Sequence, residues 1–81
     1  MSSDNILTAS IDDFASRLAA MIDDELYQTM ELLEVMSEAP KRGDVDEILA
    51  RIALTETEIE RRQPGQLMRP YLDWKVSKLG P

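Results

Sequence analysis

The sequence predicts an all-α fold, an antiparallel helical hairpin closed by a short third helix. Three observations point there. Apolar residues recur every three or four positions over two long stretches. A helix-capping pattern stands at the start of each stretch. Proline and glycine stay out of both stretches and gather in APKRGD and QPGQ between and after them.

Residues 1–9 read as a flexible arm ahead of a single helical domain, 10–81. Ser10 is the expected N-cap of the first helix, with Asp13 at the capping-box position and Asp12 beside it at the positive end of the helix dipole. From there Ile11, Phe14, Ala15, Leu18, Ile22, Leu26, Met30, Leu33 and Met36 form one stripe. Pro40 restricts Ala39, so one unbroken helix is expected over about 11–38. Ile11, Ile22 and Leu33 share one angular position, as in a nearly straight rod. Two residues interrupt the stripe. Thr29 is expected to return its hydroxyl to the backbone one turn back. Glu25 asks for a cation or water.

APKRGD reads as a turn. Asp44 with Glu47 forms the next capping box, and Val45, Ile48, Leu49, Ile52 and Ile59 form the second stripe. Pro64 and Gly65 stop it, giving a helix over about 45–62. Pro70 suits the first turn of a third helix and Gly80 its C-terminal end, which predicts a helix over about 70–79. Leu72, Val76 and Leu79 share its face.

The net charge of −7 is unevenly spread. Residues 1–40 carry nine acids and one base, whereas residues 64–81 carry one acid and three bases. This balance argues against nucleic acid and anionic membrane surfaces as partners. No apolar run reaches the roughly 18 residues of a membrane span, and MSSDNILTAS lacks the basic region of a secretory leader. The absence of cysteine suits the cytoplasm. The absence of histidine removes the commonest general base and zinc ligand, and the isolated glycines form no phosphate loop. No catalytic residue, cofactor, metal or small-molecule substrate is expected. Asp23, Asp24 and Glu25 in IDDEL are adjacent on a helix, where neighbours diverge, so they read as solvated surface.

Length sets up the main structural expectation. At about 1.5 Å per residue a helix over 11–38 runs roughly 42 Å and one over 45–62 roughly 27 Å. The first third of the long helix would overhang, leaving Phe14 and Leu18 bare. The segment after Pro64 emerges at that end with Tyr71, Leu72 and Trp74, and is positive where the first helix is acidic. It is expected to cover residues 11–22, in its own chain or in a second copy. A second apolar ridge, Met21, Leu32 and Val35, remains beside the main stripe. A homodimer of the four-helix-bundle kind follows as the expected form. An ion pair from Glu25 to Arg61 or Arg62 is also expected.

These features favour a non-catalytic, adaptor-like or chaperone-like protein that binds another protein through Phe14, Leu18, Met21, Leu32, Val35, Tyr71, Leu72 and Trp74. Two rival readings stand beside it. One is an acidic inhibitor or nucleic-acid mimic working through the face of Asp24, Glu31, Glu34 and Glu38. The other is a small structural subunit of a larger assembly.

Overall fold

The structure, a computed structural model, describes residues 9–38 and 45–80. Among these the elements are α1 (Ile11–Ala20), α2 (Asp23–Ser37), α3 (Val45–Arg62) and α4 (Arg69–Lys78), with no strand. The predicted turn over 39–44, the Asp44 cap and most of the predicted arm lie outside the described residues.

Ser10 caps α1 as its sequence suggests, its Oγ accepting from the Asp13 N–H at 3.2 Å. The expected single rod over 11–38 is not what forms. It breaks between Ala20 and Asp23, where Met21 and Ile22 are extended with ψ of 148° and 164°. Neither proline nor glycine marks the place. Two of the groups exposed by the break find side-chain partners. The Ile22 N–H donates to Glu25 Oε1 at 3.3 Å, and the Leu18 carbonyl accepts from Arg62 Nη2 at 3.0 Å. Three consecutive acids then sit in the first turn of α2, where the helix dipole favours negative charge.

Tertiary packing explains why the bend wins. Folded down, α1 lies against α3, and Phe14 and Leu18 are fully enclosed. Burying two such side chains is worth about 1.5–3 kcal/mol each. The break gives up the four i→i−4 bonds from the N–H groups of residues 22–25, at about 1 kcal/mol each, less what Glu25, Arg62 and water restore. The overhang expected from the length mismatch therefore does not exist. Arg51, itself buried, holds this contact. Its guanidinium lies 5.3 Å from the centre of the Phe14 ring, pairs with Glu47 at 3.1 Å, and donates to the Ala9 carbonyl.

One contiguous core draws on every helix. Phe14 and Leu18 come from α1, Leu26, Tyr27, Met30 and Leu33 from α2, Ile48 and Ile59 from α3, and Tyr71 from α4. The backbones of α1 and α2 both approach α3 closely. Thr29 and Thr55, buried in helix interiors, donate their hydroxyls to the carbonyls of Glu25 and Arg51 at 2.9 and 2.8 Å. Gly65, with φ of 84°, turns the chain after α3. Gly80, with φ of 74°, follows the end of α4, the left-handed geometry that glycine accommodates without a Cβ clash. Among the described residues, no helix is long and apolar enough to cross a membrane.

Candidate functional site

The acidic stretch IDDEL is used up locally and in tertiary contacts. Asp23 accepts from Arg62 at 2.8 Å, Asp24 from Gln28 at 3.0 Å, and Glu25 caps Ile22. The expected Glu25–arginine pair is thus replaced. Arg62 reaches Asp23 and its helical neighbour Glu58, at 2.8 Å each, while Arg61 also pairs with Glu58 at 2.7 Å. The two arginines, Arg61 first, hold the Glu58 carboxyl below its ordinary value although burial opposes them. Among the described residues, no three metal-ligating side chains converge.

The C-terminal helix meets α2, and its expected station over residues 11–22 of α1 is corrected accordingly. Its aromatic residues find Tyr27, a residue the stripe analysis did not mark as core. The Tyr27, Tyr71 and Trp74 ring centres are 5.8–6.0 Å apart, inside the range of favourable aromatic pairing. Carboxylates of α2 ring this trio. Tyr71 Oη donates to Glu34 Oε1 at 2.6 Å, and Trp74 Nε1 to Asp24 Oδ1 at 2.7 Å. Lys78 Nζ reaches Glu31 at 2.7 Å and lies 4.5 Å from the centre of the Trp74 ring. Lys75 Nζ reaches Glu34 at 3.4 Å and lies 5.2 Å from the centre of the Tyr71 ring. Burial first, then the Glu34 carboxylate, pushes the Tyr71 hydroxyl well above the ordinary tyrosine range. Burial and Asp23 push Tyr27 upward too.

The predicted acidic face is therefore largely the seat of α4. Asp24, Glu31 and Glu34 each hold a group from that helix, and Glu38 alone of the four stays exposed without a described bond to it. The predicted binding residues also divide. Phe14, Leu18 and Tyr71 are interior, at 0–1% exposure, and belong to the chain's own core. Trp74 is half-buried.

Met21, Leu32 and Val35, predicted as a second ridge, do come together. They line an open groove of about 810 Å³ that α1 and α2 form with the end of α4. Leu32 is 48% and Val35 61% exposed. Arg17, Glu25, Glu31 and Lys78 supply both signs of charge to its lining. Thr29, with its hydroxyl 3.6 Å from the Met21 sulfur, completes part of the lining.

Comparison with protein-family models, curated proteins and solved structures gave no match. The groove's chemistry must speak for itself. It offers an apolar floor and mixed charge.

α4 shows a further apolar edge. Leu72, Val76 and Leu79, at i, i+4 and i+7, are exposed at 51%, 67% and 82%. Leu67 is 76% exposed, with φ of 56° in the turn before α4. The turn that brings Met68 and Tyr71 inward points it away.

Proposed function

We propose that the protein is a non-catalytic binding module that receives an amphipathic helix of a protein partner in the groove of Met21, Leu32 and Val35. In this reading α2 and α3 form the antiparallel hairpin predicted from the sequence. The Arg62–Asp23 bond, joining the end of α3 to the start of α2, supports that arrangement.

The supporting observation is an apolar surface left over after the chain's own core is complete. Phe14, Leu18 and Tyr71 are satisfied within the chain, yet Leu32 and Val35 stand open beside Met21. Apolar anchors spaced three and four residues apart on a visiting helix suit such a floor. Cations and carboxylates from that helix can meet Glu25 and Glu31 or Arg17 and Lys78, which fixes orientation more than it adds affinity. The inhibitor reading loses support because Asp24, Glu31 and Glu34 are already engaged by α4. The expected homodimer rests on that same ridge of Met21, Leu32 and Val35, which stays open.

Affinity capture from the native host, with wild type beside Leu32→Asp/Val35→Asp, tests the proposal. A protein retained by wild type and lost from the folded double variant supports it. Equal retention by both, or no retained protein, sinks it.

A further inference from the structure

The break between α1 and α2 carries information that the groove does not. AAMIDDEL holds no proline and no glycine, and the apolar stripe runs through it in register; only its three consecutive acids suit a first turn better than a helix middle. Ile22, which in a straight rod stands in line with Leu18 and Leu26, is left 65% exposed by the bend. One of the four backbone pairs that an uninterrupted helix would make across the break is that of the Ile22 N–H with the Leu18 carbonyl. In the bent form each has a side-chain substitute, Glu25 for the first and Arg62 for the second. The extended connection is only Met21 and Ile22.

We propose that the chain has a second form in which residues 11–37 make one continuous helix, and that this form is a domain-swapped dimer. In it α1 swings away from its own α3 and delivers Phe14 and Leu18 to the α3 of a second copy. The occupant of that face is settled by the structure itself, because a second copy presents the same α1 that fills it within one chain. Both forms bury Phe14 and Leu18 and keep the Phe14–Arg51 contact, now between copies. The swapped form adds the four backbone bonds from the N–H groups of residues 22–25 to the carbonyls of residues 18–21 and joins α1 to α2 as one cooperative helix. Short connections between elements favour this exchange, and its two-fold reciprocity closes the assembly at two copies.

Sedimentation at rising protein concentration distinguishes the forms. Wild type is expected to show monomer and a slowly exchanging dimer. Ile22→Pro forbids the continuous helix yet fits the bend, where Ile22 has φ of −74° and Met21 before it is extended. It should abolish the dimer while keeping the helical circular dichroism of the monomer. If that variant loses its fold, Ile22→Gly, which keeps the N–H for Glu25, should lower the dimer share in the same direction. Glu25→Ala removes the cap specific to the bend and should raise the dimer share about threefold or more.

A wild type that stays monomeric at millimolar concentration, with Glu25→Ala no different, overturns the proposal. So does a dimer that persists in Ile22→Pro or, should that variant not fold, in Ile22→Gly. Leu32→Asp/Val35→Asp keeps the two proposals apart. It should leave the swapped dimer intact, so its failure to capture a partner bears on the groove alone.

Discussion

At the scale of single residues, Arg62 joins three parts of the chain. It donates to Glu58 within α3, to Asp23 at the start of α2 and to the Leu18 carbonyl at the end of α1. Arg62→Ala should cost about 2 kcal/mol in urea unfolding, because Glu58, with a side chain only 10% exposed, keeps only Arg61. The tyrosines offer a test by pH. Both hydroxyls are raised above their ordinary value of 10.0, by burial first. A folded state that holds these protons longer than the unfolded chain has that advantage in full below pH 10. It loses the advantage as pH climbs from there toward the raised values. Absorbance at 295 nm should therefore show tyrosine ionisation delayed to higher pH in the folded protein than in the urea-unfolded chain. Tyr71, the more deeply buried, should ionise last, with unfolding. Tyr71→Phe removes the bond to Glu34 and should cost about 1.5–3 kcal/mol, the usual worth of a hydrogen bond to a charged group.

At the scale of elements, the helices themselves were largely legible. The predicted second helix over 45–62 matches α3, and the predicted 70–79 helix matches α4 to within a residue at each end. The Ser10 cap, the Thr29 back-bond and the Gly80 stop were readable because each depends on neighbours a turn or less away. The bend at Met21–Ile22 was not, since local propensity favours a helix there and the opposing force is burial of Phe14 and Leu18 against α3. One signal was present: three acids in a row, which suit a first helical turn better than a helix middle. The station of α4 depends on side-chain bonds to α2 more than on close backbone contact. Reversing Lys75 and Lys78 to glutamate should set like charges beside Glu34 and Glu31 and loosen the helix. Trp74, the single tryptophan, reports on this directly. Its fluorescence should shift to the red while most of the helix signal remains.

For the whole molecule, acid should weaken the fold. Glu58 is held below its ordinary value of 4.5 in the folded state by Arg61 and Arg62. Its contribution is complete above that value and drains away as pH falls through it toward the depressed folded value. Urea midpoints measured from pH 6 down to pH 3 should fall, and Glu58→Gln should flatten the decline. Leu32→Asp/Val35→Asp should change stability by less than about 0.5 kcal/mol, as expected of exposed positions, even where it removes partner binding.

The sequence by itself determined that the chain is helical, where α3 and α4 stand, and which residues make the ridge of Met21, Leu32 and Val35. Periodicity, caps and breakers act over a turn or two, so they can be read along the chain. Only the tertiary structure decided that α1 folds back, that Phe14, Leu18 and Tyr71 are interior, and that α4 sits on the carboxylates of α2. Those outcomes turn on contacts between residues some forty positions apart, such as Arg62 with Leu18 and Tyr71 with Glu34. Burial there, with the side-chain bonds that replace part of what is lost, outweighs the four backbone bonds that a straight helix would have kept across the break.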